Sequence, residues 1–553
     1  MHTSSMTGFD WAILVVYLGF VVWVGFYLKR FTKTDNDYFL AGRRNSAFVA
    51  GVAFMSANMG ALEVVGYAGQ GAEYGLFALH FYLIGAIPAI LFLGVFMMRF
   101  YYNNRIKSTP GYLKERYDEK TRVLNAISFA VMTVLSSGIS LYALALVLKT
   151  FLGWNWDLSI WLSAGFVALY ITLSGLLSAI FTEVIQFFLI WGGILLLPIL
   201  GIIDLGGPTK AFASLPQVYT HLWSITGSAA DNPMKLGWPA LIFGLGFGIS
   251  FGYWTTDFLI IQRAFSAKDV RSARMAPIIS SYFKILLGFV VVGSGMVGLA
   301  LMRDPNSGFT LLHTGGKINY DSVIPLLMMR FFPPGLVGVG VTALIAMFMA
   351  GQAGNMSAFN TVWTYDIYQS VINKNASEKH LIWMGRVATV VGILLSIVGA
   401  YWARSMPTII DYLQAIASWI LAPAVAVILL GMFVKWISPD GAFWGMLIGT
   451  LVSFAMFMAL ELGWITPGAI APGGEASAMA ANFWRALWAW LISSGIAMAV
   501  SLFTEKRPEA ELVGLVRGLT RETEVEQVPL LKKPIFWASV TTVIFIVLNI
   551  VFW

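Results

Sequence analysis

Cysteine is absent from this chain of 553 residues, and charged side chains are scarce. The lack of cysteine excludes disulfide bonds and thiolate metal sites. Charged residues make up 11% of the chain, whereas about a quarter is usual in soluble domains. A chain this apolar would aggregate in water, so we expect lipid to be its main solvent.

Histidine is also scarce, and its spacing argues against a metalloenzyme. The histidines form no metal-ligand pattern such as HExxH; they are His2, His80, His221, His313 and His380. Ser and Thr occur only in ordinary helical contexts, so we do not expect an enzyme. The polar tail after residue 504 is too short for a fused kinase and lacks nucleotide-binding motifs. A membrane sensor would therefore need separate partners.

Long apolar runs dominate the chain, with 58% hydrophobic residues and 54 glycines. A bilayer-spanning helix needs about 20 apolar residues. The first run, Trp11 to Leu28, is followed at once by Lys29-Arg30 and is predicted to be a retained span rather than a signal peptide. Fourteen spans are predicted: 11–28, 46–66, 75–100, 123–151, 157–175, 178–203, 238–262, 275–302, 334–372, 381–402, 408–433, 441–462, 482–504 and 533–553.

The distribution of Lys and Arg gives these spans an orientation. One set of alternating loops carries 26 of these residues and the other set carries eight, while Lys284 lies inside a span. The positive-inside rule places the richer set in the cytoplasm, so both termini are predicted outside. We expect an integral plasma-membrane protein, in a bacterial inner membrane.

Two predicted spans, the second and the seventh, are unusually rich in glycine. The second contains Gly51, Gly60 and Gly66, and the seventh contains glycines at 244, 246, 248 and 252. Glycine-interrupted helices at corresponding places in two halves indicate a transporter's midplane site. Close helix packing is the alternative explanation, and glycine content alone favours it.

Several motifs, in order along the chain, resemble those of the sodium–solute symporter family. They are DYFLAGR at 37–43, SANMGALEVVGYAG at 56–69, TPGYLKERY at 109–117, FTEVIQ at 181–186, YWTTDFLIIQR at 253–263, WTYDIY at 363–368 and PDGAFWG at 439–445. Within the family the chain is most similar to the sodium–glucose cotransporter branch. The ordered set is far more specific than any one motif.

The resemblance implies an all-α membrane protein with two inverted five-helix repeats, each beginning with a broken helix, plus extra helices at both ends. The predicted units are residues 1–45 (first extra helix and cytoplasmic loop), 46–203 (first repeat), 204–237 (external loop), 238–433 (second repeat) and 434–553 (last extra helices). The solute is expected to bind near the midplane between the broken helices.

A lysine in the middle of a span, Lys284, is the first candidate solute ligand. Apolar residues on both sides make snorkelling difficult, so it should face a cavity or a carboxylate. The resemblance aligns Lys284 and Gln414 with solute-binding residues of the sodium–glucose cotransporter branch. It also matches Asn58 and Ser250 to polar contacts and Tyr253 with Trp254 to an aromatic pair that closes the site from inside.

Two candidate positions depart from the branch pattern. Glu63 stands where the branch has Gln or His, and Tyr82 stands where sugar transporters carry Glu. The moved carboxylate could preserve a hydroxyl acceptor, mark a different solute, or pair with Lys284. All three alternatives remain open from the sequence.

The expected ion site is also altered. The resemblance maps sodium-binding carbonyls to Ser56 and Met59, and the two hydroxyl-bearing positions to Ala350 and Gly351. Residues 343–356 contain no Ser or Thr, so only Gln352 and Asn355 remain nearby as substitutes. A buried Glu183 could carry a proton instead. The predicted ion-coupling set is Ser56, Met59, Glu183, Met347, Ala350 and Gly351, with coupling to Na+, to H+ or to neither.

These features predict a secondary active transporter of a sugar or related polyol that works by alternating access, nominally with Na+. The nearest competitor is a symporter of a monocarboxylate or amino acid, because Lys284 could hold a carboxylate. The expected partners are the small-molecule solute and the lipid bilayer. No cofactor other than the coupling ion, no nucleic acid and no obligatory protein partner is expected.

Overall fold

Long apolar helices make up most of the structure, a computed structural model that describes residues 6–29, 44–60, 62–103, 109–213, 215–223, 229–314, 317–404, 409–519 and 528–553. Within these ranges, nine helices are long and apolar enough to cross a bilayer, and four shorter helices are comparably apolar. The DYFLAGR motif lies outside the described residues.

The first half of the chain contains eight principal helices. They are α1 (Gly8–Lys29), α2 (Ala47–Asn58), α3 (a π-helical turn Leu62–Gly66 continuing as Tyr67–Tyr74), the segmented α4 (Gly75–Leu79, His80–Leu83, Ile87–Phe92, Leu93–Met97 and Met98–Asn103), α5 (Thr109–Arg116), α6 (Glu119–Leu152), α7 (Trp156–Ile194) and α8 (Leu196–Asp204).

From residue 240 onward, the described part of the chain contains ten more. They are α9 (π-helical Ala240–Ser250 continuing as Phe251–Thr256), α10 (Phe258–Phe265), α11 (Val270–Arg303), α12 (Val323–Phe331), α13 (Leu336–Val362 continuing as π-helical Trp363–Ile372), α14 (Glu378–Ala403), α15 (Ile409–Phe433), α16 (Pro439–Glu461), α17 (Ala478–Phe503) and α18 (Pro534–Val551). Short elements fill the loops: Pro208–Ala213, Gln217–Tyr219, the two-stranded hairpin His313–Thr314 with Lys317–Ile318, Tyr320–Ser322, Pro467–Ile470, Glu509–Leu512 and Leu530–Lys532.

The first glycine-rich span is broken, as predicted. Ser46 caps the start of α2 by accepting a hydrogen bond from the Val49 amide, and the helix ends at Asn58. Helical structure resumes at Leu62. It runs beyond the predicted end at residue 66 to Tyr74, where Gly75 with φ of 64° stops it, because this left-handed conformation favours glycine.

The second glycine-rich span is also interrupted, but its glycines are not the cause. Helical structure continues through all four of them, and the break falls at Asp257 (φ −69°, ψ 112°), whose side chain caps α10 through the Leu259 amide. A methyl group at Gly244 would lie 2.1 Å from the Phe483 carbonyl oxygen, and one at Gly252 would lie 2.7 Å from Leu421 Cβ. Close packing therefore explains these two glycines.

The boundary predicted between 175 and 178 does not appear as a loop, because helical backbone continues from Trp156 to Ile194. This stretch contains no proline to interrupt its hydrogen bonds. Both ends of 156–204 nevertheless contact segments predicted to lie on one face: Tyr401 donates to Asp157, and Arg330 pairs with Asp204.

Contacts between loops follow the two predicted sides of the layer. On the predicted cytoplasmic side, Asn45 pairs through its backbone with residues 266 and 268, and Arg507 donates to the Glu115 carbonyl. On the predicted external side, Leu222 N donates to the Phe552 carbonyl, and Asp10 accepts from the Gly338 amide. In each of these contacts, the two loops belong to the same side of the layer as predicted from the Lys and Arg counts.

Candidate functional site

A buried lysine spans the break of the first broken helix. Lys284 on α11 donates to Asn58 Oδ1 at 2.6 Å, at the end of α2, and also pairs with Glu63 Oε1 at the start of α3. Lys284 and Glu63 are each 3% exposed. The Lys284 charge is therefore neutralised by Glu63, which lies across the break from Asn58. This pairing is one of the three alternatives that the sequence leaves open for Glu63.

Two aromatic rings enclose the same ammonium group. Lys284 Nζ lies 4.8 Å from the centroid of the Tyr82 ring and 5.0 Å from that of Trp254. Trp254 in turn stacks on Phe54 of α2. Tyr82 thus presents a ring face where the branch pattern has a carboxylate. The carboxylate that pairs with Lys284 belongs instead to Glu63.

Hydrogen bonds connect the walls above and below this lysine. At the end of α2, Asn58 Nδ2 donates to the Tyr253 hydroxyl at 2.8 Å. Farther along α3, Gln414 Nε2 on α15 donates to the Tyr67 hydroxyl at 3.4 Å. The Gln414 Oε1 atom is buried and has no hydrogen-bond partner among the described residues. It is an unused acceptor beside the lysine–glutamate pair.

The lysine, its partners Asn58 and Glu63, and the tyrosine and glutamine walls around them line one cavity. The structure brings every predicted substrate-binding residue to its wall. They are Asn58, Glu63, Tyr82, Ser250, Tyr253, Trp254, Lys284 and Gln414.

Other cavity residues were missed from the sequence. Tyr67 lies four positions after Glu63, and a one-turn spacing on the same helix could have indicated it. Ser136 and Ser140 have the same spacing on α6, and Asp257 marks the break before α10. Of these, only the tyrosine presents a large ring to the cavity.

The predicted ion-coupling positions are brought together only in part. Gly351 lines the cavity beside Gly60, and a methyl group built on Gly60 would lie 3.5 Å from the Gly351 Cα atom. Ser56 Oγ is buried with no hydrogen-bond partner in the described part of the chain, while its carbonyl accepts from the Met59 amide. The side chains of Glu183 and Ala350 lie outside the description.

The mapped positions on α13 do not fit a sodium ion that needs side-chain oxygens. Met347, Ala350 and Gly351 carry none, and hard cations are bound by oxygen ligands. Glycine is favoured at 351 by the backbone contact with Gly60, because a methyl group on Gly351 would lie 3.3 Å from the Gly60 Cα atom.

Comparison with known proteins gives one family. The sequence profile of the sodium:solute symporter family matches residues 38–449. Human sodium/glucose cotransporter 4 is 29% identical over 92% of this chain and 78% of its own length. Sodium/glucose cotransporter 1 of Sus scrofa is 28% identical, covering 95% and 83%. Sodium/myo-inositol cotransporter 2 of Oryctolagus cuniculus is 28% identical, covering 94% and 80%.

Solved structures share the architecture. A Na+-coupled sialic acid symporter in a substrate-bound outward-open state superposes with a TM-score of 0.74 at 19% identity, covering 90% of this chain and 99% of that one. A nucleobase-cation-symport-1 family transporter in a closed conformation superposes with a TM-score of 0.55 at 13% identity, covering 87% and 98%. At these identities the likeness concerns the fold.

Proposed function

Because the chain belongs to the sodium:solute symporter family, we propose that it carries a neutral sugar or related polyol across a bacterial inner membrane by alternating access. The observation that carries this proposal is the cavity, which combines hydrogen-bonding side chains with large aromatic rings. Pyranose rings present C–H faces that stack on aromatic rings, and their hydroxyls both donate and accept hydrogen bonds.

The polar groups suit hydroxyls rather than a formal charge. Gln414 offers a free acceptor, while the amide of Asn58 and the hydroxyl of Ser250 provide both kinds of group. Glu63 places a carboxylate, the strongest kind of hydroxyl acceptor, on the same wall. Sodium/glucose cotransporter 4 and sodium/myo-inositol cotransporter 2 are similar to this chain over almost its whole length.

A monocarboxylate or amino acid is the competing solute class. Its carboxylate would need the Lys284 ammonium, which is already paired with Glu63 and bonded to Asn58. An anionic solute would have to displace a buried carboxylate from its partner, which costs several kcal/mol, about 3–5 by analogy with broken buried pairs. The internal pair therefore favours a neutral solute.

Alternating access needs closure on both sides of the solute. Asn58 at the end of α2 bonds to Tyr253, and Gln414 on α15 bonds to Tyr67 of α3. We assign the first to the cytoplasmic gate, together with Trp254, and the second to the external gate. The assignment rests on the orientation that the charge distribution predicts, with both termini outside.

The experiment that tests the proposal is counterflow of labelled sugars and polyols in proteoliposomes, with monocarboxylates and amino acids as competitors. Inhibition by unlabelled sugars alone would support the proposed solute class. Inhibition by carboxylates alone would replace it with the competing class. Family membership gives sodium as the expected driving ion.

A further inference from the structure

Helix α17, which lies outside the two predicted repeats, contains a buried arginine in an apolar sequence. Arg485 is 1% exposed, and its Nε atom donates to Ser418 Oγ on α15 at 2.8 Å. Its Nη2 atom donates to Asn482 Oδ1 at 2.6 Å and to the Ala415 carbonyl at 3.4 Å. These three acceptors are uncharged. An ionised side chain inside a span is costly, so its presence indicates a functional role.

A neighbouring amide extends this cluster to another point on α15. Asn482, one turn before Arg485 on α17, donates from Nδ2 to the Asp411 carbonyl at 3.2 Å. Because Asn482 Oδ1 accepts from Arg485, the amide is oriented with its Nδ2 atom toward α15. The two α17 residues therefore bond to α15 both before and after Gln414 along the chain.

These contacts and the cavity use different faces of α15. Positions 411, 415 and 418 follow the spacing of one helical face, and all three bond to α17. Gln414 and Ala417 line the cavity, whereas Arg485 is not among its lining residues in the described structure. The bonds to α17 therefore fix the rotation of α15 about its axis, and with it the direction of the Gln414 side chain.

The same turn of α17 packs against a second wall of the cavity. A methyl group built on Gly244 of α9 would lie 2.1 Å from the Phe483 carbonyl oxygen, and one built on Gly248 would lie 3.2 Å from Ala486 Cβ. Ser250, farther along α9, lines the cavity. One turn of α17 thus contacts two helices that carry predicted solute ligands.

We propose that Arg485 is a positioning residue for solute binding. From a helix outside the cavity wall, it holds α15 in the rotation that directs the Gln414 amide toward a solute hydroxyl. A guanidinium suits this role because its planar fork reaches several acceptors at once, whereas a lysine offers a single point charge. The proposal rests on the proposed function and adds a determinant of hydroxyl recognition to it.

The test compares the transported sugar with its monodeoxy analogues as competitors in counterflow. In the wild-type protein, the analogue that lacks the hydroxyl bound by Gln414 should compete about fivefold more weakly than the parent sugar, as expected for one hydrogen bond. Gln414→Ala should erase this difference and so identify the analogue. Arg485→Met should erase the difference for the same analogue, whereas a loss of folded protein would lower only the maximal rate.

Matched variants separate positioning from helix packing. Ser493 Oγ donates to the Pro423 carbonyl at 3.2 Å, about 12 Å along α17 from Arg485. Ser493→Ala therefore removes another bond between the same two helices, and it should keep the wild-type discrimination. Ser418→Ala removes the acceptor of Arg485 Nε and should reduce the discrimination, which provides the measurement if Arg485→Met does not fold. Combining Arg485→Met with Gln414→Ala should weaken sugar binding no further than Gln414→Ala alone.

Wild-type discrimination in both Arg485→Met and Ser418→Ala would overturn the positioning role, as would additive losses in the double variant or equal losses in Ser493→Ala. Sugar counterflow by the wild-type protein alongside any of these results would retain the proposed function.

A measurement without solute covers the case in which no sugar is carried. A single cysteine at Ala417, on the cavity wall of α15, reacts with a thiol reagent at a rate that reports the rotation of this helix. Arg485→Met should increase that rate because it releases α15 from α17, and Ser493→Ala should leave it unchanged. A faster reaction in a protein without sugar counterflow would retain the positioning role and reject the proposed function. An unchanged rate in Arg485→Met would overturn the positioning role.

Discussion

Lys284 and Glu63 form a buried ion pair across the break of the first broken helix, one from α11 and the other from α3. Because Lys284 also donates to Asn58 at the end of α2, its ammonium group links the two halves of the broken helix. The pairing of Glu63 with Lys284 is one of the three alternatives that the sequence leaves open. The positive charge of Lys284 is therefore balanced by a carboxylate of the same chain.

The first prediction follows from that pairing. Lys284→Ala should abolish solute transport and lower the free energy of unfolding by about 3–5 kcal/mol, because it leaves the Glu63 carboxylate buried without its partner. Combining Lys284→Met with Glu63→Gln should recover most of the stability and none of the transport. Thermal unfolding and sugar counterflow measure the two effects separately. Normal counterflow by Lys284→Ala would remove this lysine from the site.

The second prediction concerns the unused acceptor of Gln414. Gln414→Ala should weaken the apparent affinity for the sugar about fivefold, since one hydrogen bond contributes about 1 kcal/mol. Gln70→Ala is the matched control, because Gln70 is a buried glutamine that also has no partner for its Oε1 within the described residues and lies outside the cavity wall. Equal losses in the two variants would mean that the effect is on folding.

The third prediction concerns the gate formed by Asn58 and Tyr253. Tyr253→Phe removes the hydroxyl that accepts from Asn58 Nδ2 and should shift the protein toward opening on the cytoplasmic side. A single cysteine at Ala417, on the cavity wall, should then react about fivefold faster with an impermeant thiol reagent applied from that side, for a shift of about 1 kcal/mol. Faster reaction from the external side instead would reverse the gate assignment.

The fourth prediction uses the absence of cysteine, which makes any introduced cysteine a unique reporter. Cysteine at Lys120 or Glu509 should be labelled only from the cytoplasm, and cysteine at Asp204 or Trp464 only from outside. All four positions are at least partly exposed. Labelling of the two sets from the same side would contradict the loop alternation, and exchange of the two sides would invert the topology.

Much of the fold could be predicted because the bilayer imposes a single length and a single polarity on each helix. The glycine-rich seventh span shows the limit. Its glycines allow α9 to pack on α15 and α17, while the break depends on the backbone and side chain of Asp257. Glycine counts do not distinguish close packing from unwinding.

The site residues that match family motifs could be predicted from the sequence. The contacts between side chains on different helices could not. The cavity walls at Lys284 and Gln414 follow from the resemblance. The pairing of Lys284 with Glu63 and the approach of Ser140 to Gly351 depend on how α3, α6, α11 and α13 pack. No spacing along one helix encodes such contacts between helices.

The most direct test of the central claim is accumulation of labelled sugars and polyols in proteoliposomes under an inward sodium gradient, with a proton gradient and no ion gradient as parallel conditions. We predict that at least one neutral sugar or polyol accumulates in the wild-type protein under the sodium gradient and that none does in Lys284→Ala. Accumulation of only monocarboxylates or amino acids, or of no solute in the panel, would contradict the account.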